Sequence, residues 1–289
     1  MNTLHWRSIK PKFVILPAFL LVAVLSLCFS FSHSPEQISL PILLYHEINA
    51  SGEGDSIIAQ DVFLSHLDAL QDSGYQTVSL SQIIAFVEHG EPLPPKPVLI
   101  TFDDGYLSNY QIAWPALQER GMVGTIFVIG HSVGQNTYKD TGVAITPHFS
   151  YEQAREMVDS GVMSIQSHTY DLHQFRPLEP CGGREGVLSK EGESDADYRR
   201  VLRRDFQCAR DKLSLHTGQE VLALAYPYGL YTPASEEISL EEGISVTLTT
   251  QAQTAHLRSG DLGSLRLLGR YTIDDCTPYQ LLTYIQANL

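Results

Sequence analysis

Only four of the 289 residues are cysteine, and no two of them are spaced C-x-x-C. This excludes a fold held together mainly by disulfides and argues against a cysteine-ligated metal. Basic residues are the next scarcity: 19 Lys and Arg stand against 33 Asp and Glu, for a net charge of −14. Phosphate binding needs a basic face, so nucleic acid is a poor partner for this chain. A neutral or cationic substrate, or a cell-surface sugar polymer, stays open. No self-similarity at solenoid periods is visible, which removes the repeat architectures. What is present is 43% hydrophobic residues, enough for one substantial core in a single α/β domain.

Long apolar runs are absent except at the start. Arg7, Lys10 and Lys12 precede Phe13 to Phe31, nineteen residues without a charge. That length spans a bilayer, and the preceding cations place the N-terminus in the cytoplasm and the remainder outside. A cleaved signal peptide has the same flanks, and Ser30-Phe31-Ser32 offers a small-x-small site, but its apolar region is usually shorter. The expectation is a basic segment 1–12, an anchor or signal at 13–31, a tether 32–39 and a catalytic domain 40–289, membrane-anchored outside the cytoplasm or secreted if cleaved. In an exported chain Cys181 and Cys208 can pair, with Cys276 left over.

Val98 to Tyr106, V-L-I-T-F-D-D-G-Y, runs an apolar, β-branched stretch straight into two carboxylates and a glycine. It reads as a buried strand that delivers its acids at the C-terminal end, where parallel α/β folds keep their chemistry. Adjacent strand residues point to opposite sides, so Asp103 and Asp104 share a site only if the chain bends, as Gly105 allows. Buried unpaired carboxylates are costly, and a metal is a natural partner. A helix-capping Asp beside a surface Asp is the plain alternative.

Strands and helices alternate from Leu40 onward. Leu40 to Tyr45 reads as a strand ending at His46, Ser81 as the cap of a helix to about His89, and Leu107 to Arg120 as one helix. Val162 to Gln166 reads as a strand emptying into Ser167 to His173. Gly130 to Ser150 and Gln174 to Ala196 read as long loops over the strand ends. Arg266 to Leu268 reads as a last strand leading to Arg270, and His256 as a loop residue. The pattern predicts a parallel sheet, open or closed into a barrel.

His168 and His173 follow one strand and Asp104 another. Together they form a His, His, carboxylate set that leaves coordination positions open. Taken alone, an H-x4-H spacing is more often coincidence, a lone His46 more often a core or loop histidine, and Ala225 to Gly229, A-Y-P-Y-G, an aromatic turn.

In combination, T-F-D-D-G-Y at Thr101 to Tyr106, S-H-T-Y-D-L-H at Ser167 to His173 and A-Y-P-Y-G at Ala225 to Gly229 resemble the polysaccharide deacetylase family, carbohydrate esterases with a NodB-homology domain. The resemblance runs from about Leu40 to the C-terminus. The opening L-L-Y-H-E-I is similar to the branch containing poly-N-acetylglucosamine deacetylases. The resemblance implies a distorted (β/α) barrel of about seven strands. Its activity would be hydrolysis of N-acetyl groups on an N-acetylglucosamine polymer, with peptidoglycan or acetylxylan as alternative substrates. It implies Asp103 as general base, and Asp104, His168 and His173 as ligands of a divalent metal, zinc before cobalt or nickel. The backbone N–H of Tyr228 would stabilise the oxyanion. Two departures stand out. Leu224 occupies the position where many members carry an arginine that braces the base, and Arg270 is the candidate replacement. The late L-x-H motif that supplies the acid in many members is missing, and the resemblance to the branch with L-L-Y-H at its first strand implies His46 as the acid. An inactive, tethered glycan-binding module is the reading from another class; its sign would be a lost ligand or base, and none is lost.

Overall fold

The computed structural model describes residues 36–180, 182–274 and 276–287. The expected anchor or signal at 13–31 and the Cys181 side of the expected disulfide lie outside them. Among the described residues no helix is long and apolar enough to cross a membrane.

The chain opens with β1 (Gln37–Leu40), β2 (Ile42–Tyr45), β3 (Glu47–Asn49) and β4 (Ile57–Ala59), followed by α1 (Gln60–Asp72), β5 (Gln76–Thr77) and α2 (Leu80–His89). The central strand β6 (Pro97–Phe102) comes next, then α3 (Trp114–Glu119), β7 (Gly124–Val128), α4 (Tyr151–Asp159) and β8 (Met163–Ser167). The long α5 (Asp195–Thr217) leads to β9 (Ala223–Ala225), α6 (Pro233–Glu241), β10 (Val246–Leu248), β11 (Ala255–Arg258), β12 (Tyr271–Thr272) and α7 (Pro278–Ala287).

Seven parallel strands run in the order β10-β9-β8-β7-β6-β2-β12, with β5 attached beside the start of β6. All six residues of β6 and all five of β7 are buried, as expected for strands covered on both faces. Each large apolar side chain so placed contributes about 1.5–3 kcal/mol. The sheet curls into a half-barrel. Its β10 end meets the segment before β12 through one isolated bridge between Leu248 and Leu268.

Several local expectations are corrected. Ser79, not Ser81, caps α2: its hydroxyl accepts from the Gln82 N–H in a reciprocal capping box. The segment expected as one helix over Leu107 to Arg120 is a π-turn at Asn109–Ala113 followed by α3. Pro115 has no N–H to continue the ladder, and the chain changes helical register just before it. Arg266 to Leu268 is not a strand: Leu267 sits at φ 55°, which breaks an extended run, and β12 begins after Arg270. His256 lies in β11, antiparallel to β1. That ribbon sits at the N-terminal end of β2, away from the end that carries His46.

Candidate active site

β6 ends at Phe102, and the next two residues are the acids. Asp104 adopts φ 69° and Gly105 φ 86°. The bend therefore starts at Asp104 itself, a conformation Asp tolerates better than most residues. A Cβ on Gly105 would lie 2.8 Å from Val128 Cγ1, so glycine is needed there for close approach as well as for φ.

Asp103 and Arg270 are both fully buried. Two guanidinium nitrogens donate to the two Asp103 oxygens at 2.7 Å each, and Arg270 Nε donates to the Thr249 carbonyl at 2.9 Å. Tyr271 pairs with Leu43, so Arg270 starts below the strand ends and its side chain reaches Asp103 through the barrel interior. Burial would raise the Asp103 carboxyl, but the Arg270 charge and then His168 outweigh it and hold the carboxyl well below the usual carboxylate range. Leu224, the position at which the resemblance leads to the expectation of a bracing arginine, is a buried residue of β9.

β8 delivers His168, and the turn after it brings back His173. Asp104 Oδ1 lies 3.6 Å from His168 Nε2 and 3.8 Å from His173 Nε2. One ligand atom from each of Asp104, His168 and His173 falls within 4.8 Å of the others. The Ala225 carbonyl accepts from His168 Nδ1 at 2.8 Å. A carbonyl can only accept, so Nδ1 carries the proton and Nε2 offers a lone pair. Burial lowers the His168 pKa despite the neighbouring carboxylates, which favours the neutral form a ligand must take. Asp104 Oδ1 is buried with no hydrogen-bond partner. An orphaned carboxylate oxygen facing two imidazole Nε2 atoms, that of His168 fixed as a lone pair, is the donor set of a divalent cation, so the residues fit a metal.

The remaining expected residues surround this group. His46 follows β2, acts electrostatically on both carboxylates, and has a buried Nδ1 without a partner. The side chain of Asn109 donates to its carbonyl at 2.9 Å. Tyr228 adopts φ 59° after Pro227, and its ring lies 4.5 Å from that of His173.

Two residues not anticipated from the sequence join the site. Asp205, nearly buried on α5, accepts from the backbone N–H groups of Tyr170 and Asp171, one to each oxygen, at 2.8 Å. It thereby holds the turn between the two histidines. Burial pushes its carboxyl up to about 7, against the pull of those two N–H groups. Its sequence signal was a position on the apolar face of α5, in line with Tyr198, Leu202, Phe206 and Ala209. The second is His148, carried by the 130–150 loop. That loop runs antiparallel to the residues after the acids, with Leu107 N–H donating to the Pro147 carbonyl at 2.7 Å and Phe149 N–H to the Gly105 carbonyl at 3.3 Å. His148 packs against Tyr106 with ring centroids 5.1 Å apart and the ring planes tilted by 39°, and burial lowers its pKa.

A cavity of about 410 Å³ opens beside Asp104 and His173. Its outer wall includes Tyr138, Val143, Ile145, Phe175 and Leu178. Lys139 fastens that wall by pairing with Asp171 at 2.8 Å and with Glu179, which also accepts from the Tyr138 hydroxyl.

Residues 90–247 match the polysaccharide deacetylase family, and the match contains the acids, both histidines and Tyr228. The chain belongs to that family. The deacetylase chain is 31% identical to the Bacillus subtilis protein YxkH, named as a polysaccharide deacetylase, over 76% of its own length and 68% of that protein's. It is 26% identical to a poly-β-1,6-N-acetyl-D-glucosamine N-deacetylase of Staphylococcus epidermidis, across 67% of its own length and 61% of the relative's. Among solved structures it is similar to IcaB from Ammonifex degensii, with a TM-score of 0.70, 30% identity and coverage of 86% of this chain and 97% of that one. A de-N-acetylase from Aggregatibacter actinomycetemcomitans shares the fold, with a TM-score of 0.73, 24% identity and coverage of 86% and 100%. The deacetylase is thus an α/β enzyme of this family with a candidate metal triad.

Proposed function

We propose that this polysaccharide deacetylase removes N-acetyl groups from an N-acetylglucosamine polymer of the poly-β-1,6 type, releasing acetate and a free amine. The observation that carries the reading is the Asp104, His168 and His173 cluster set directly against an Asp103 whose two oxygens are both engaged by Arg270. The polymer assignment is supported by the likeness to IcaB and to the Staphylococcus epidermidis N-deacetylase.

Asp104, His168 and His173 would hold the cation, zinc being the first candidate for a site of two imidazoles and one carboxylate. When bound, it supplies Lewis-acid polarisation of the acetamide carbonyl and a more acidic water. Asp103 lies outside the ligand set and accepts the proton of the attacking water; Arg270 keeps its carboxylate oriented and ionised. The Tyr228 N–H stabilises charge developing on the acetamide oxygen. His46, whose buried Nδ1 has no partner among the described residues, donates a proton to the departing amine. The basic flank of Phe13 to Phe31 supports a catalytic domain held outside the cytoplasm by that segment.

The test is acetate release from poly-β-1,6-N-acetylglucosamine and from acetylated chitooligosaccharides by the full chain, with and without chelator, beside Asp103→Asn. The expected result is release that chelator removes and zinc restores, and that Asp103→Asn lowers by about 10²–10⁴-fold with its metal content intact. A folded, zinc-loaded protein that releases acetate from neither polymer, nor from peptidoglycan or acetylxylan, overturns the reading in favour of a glycan-binding module.

A further inference from the structure

Among the described residues that line the cavity, His148 is a buried polar side chain that the mechanism above leaves unused. It is 9% exposed. Neither ring nitrogen has a hydrogen-bond partner among the described residues. The carbonyls of Thr146 and Gln135 border the ring, and the Gln135 carbonyl already accepts the backbone N–H of His148 at 2.9 Å. Both carbonyls are acceptors. A neutral imidazole has one N–H and one lone pair, so these neighbours can serve one nitrogen at most, and the other needs a donor. Leaving such a group unmatched is costly.

The position is built, not incidental. The loop that carries His148 is clamped to residues 105–107 by the two backbone hydrogen bonds described above, and Tyr106 supports the ring from one face. The ring lines the same cavity as Asp104 and His173, together with Tyr138, Val143, Ile145, Phe175 and Leu178. In a mostly apolar pocket, a few fixed polar groups set the orientation of the ligand. A sugar hydroxyl both donates and accepts, which is the complement of a neutral imidazole.

We propose that His148 hydrogen-bonds a ring hydroxyl of the sugar whose acetamide sits at the Asp104, His168 and His173 cluster, and so makes the site selective for that hydroxyl. This rests on the deacetylase reading for the placement of the sugar. His148 is a specificity residue: it reads the ring, while Asp103 acts on the water. The aromatic and aliphatic residues of the cavity pack against the sugar ring, and His148 fixes its rotation about the acetamide bond.

The test uses the full chain and four β-1,6-linked N-acetylglucosamine oligomers, one intact and the others lacking the 3-hydroxyls, the 4-hydroxyls or the free 6-hydroxyl of the non-reducing end, the other 6-oxygens being held in the linkages. The wild type should lose about 10–100-fold in kcat/KM on one deoxy oligomer and little on the others. His148→Phe keeps an aromatic ring packed against Tyr106; it should show that loss on the intact oligomer and no further loss on the same deoxy oligomer. His148→Gln, which keeps a donor and an acceptor, should recover part of the activity and so separates the contact from a collapse of the loop. Equal treatment of all four oligomers by the wild type, or an equal loss on all four in His148→Phe, overturns the proposal. Oligomer affinities are measured in parallel by calorimetry on the full-chain Asp103→Asn protein. Acetate release with no hydroxyl discrimination leaves the deacetylase reading standing and removes the role of His148. Hydroxyl-dependent binding with no acetate release from any oligomer does the reverse.

Discussion

The Arg270 guanidinium meets the Asp103 carboxylate edge to edge, two nitrogens each 2.7 Å from a different oxygen, although 167 positions separate the two residues in the chain. Neither group touches solvent to any useful extent, so each is the other's main compensation for leaving water. The pair settles the charge of Asp103 before substrate arrives.

Arg270→Met therefore strands a buried carboxylate. It should lower the stability of the chelator-treated protein by about 3–5 kcal/mol, read by urea unfolding. Adding Asp103→Asn to it should recover part of that loss, since the two sites share one interaction. A single-variant loss below about 1 kcal/mol would mean that the pair matters little to the fold.

Asp104→Asn separates the needs of the fold from those of the metal. Asp104 Oδ1 is buried and unpartnered, and φ 69° suits asparagine well. The variant should melt close to the wild type in chelator, because the amide fits the bend and His173, His168 and His46 already offset the cost of burying the carboxylate. Zinc, which should raise the wild-type melting temperature, should leave the variant unmoved. A zinc-dependent shift that survives Asp104→Asn would remove Asp104 from the ligand set.

Asp205 carries a pH signature. Burial raises its carboxyl to about 7 in the folded chain, so the folded form keeps a proton that the unfolded form has released. Its stabilising contribution is whole below the ordinary carboxylate range and is lost as pH rises through about 7. Between those limits the slope is at most about 1.4 kcal/mol per pH unit. Urea midpoints taken from pH 5 to 8 should fall for the wild type more steeply than for Asp205→Asn. Parallel slopes would show that the two backbone N–H groups keep the carboxylate ionised throughout.

Tyr228 is assigned its role through a backbone N–H, which the side chain does not alter. Tyr228→Phe keeps the ring beside His173 and should cost less than tenfold in kcat/KM, whereas losing an oxyanion donor typically costs about 10²–10³-fold. A loss of the larger size in Tyr228→Phe would place the hydroxyl in the chemistry.

The elements that depend on local pattern were legible in the sequence. The V-L-I-T-F run specified a strand buried on both faces, and D-D-G after it specified a bend with two acids. The S-H-T-Y-D-L-H segment put two imidazoles after another strand. Leu107 to Arg120 was misread because its apolar spacing suits a helix while Pro115 forbids an unbroken one. His148 was invisible for a different reason: P-H-F-S has no pattern of its own, and only the antiparallel clamp onto residues 105–107 brings it to the acids. Asp205 was hidden among the charges of α5, although an acid in line with Tyr198, Leu202 and Phe206 is out of place on a helix face turned to the core. Leu224 raised the question of what braces Asp103, and Arg270 was the candidate, but the two-pronged contact depends on β12 docking beside β2.

That docking has a consequence for the order in which the protein is made. The strand that carries Asp103 leaves the ribosome long before Arg270 does, so a nascent chain that closes its sheet early has to hide an acid with no counter-ion. Nothing up to β11 supplies the guanidinium that accepts that burden among the described residues. The half-barrel can therefore seal its interior only once its last strand has been synthesised. A chain cut off before Arg270 would be left with a carboxyl at its centre that has either to stay hydrated or to keep its proton.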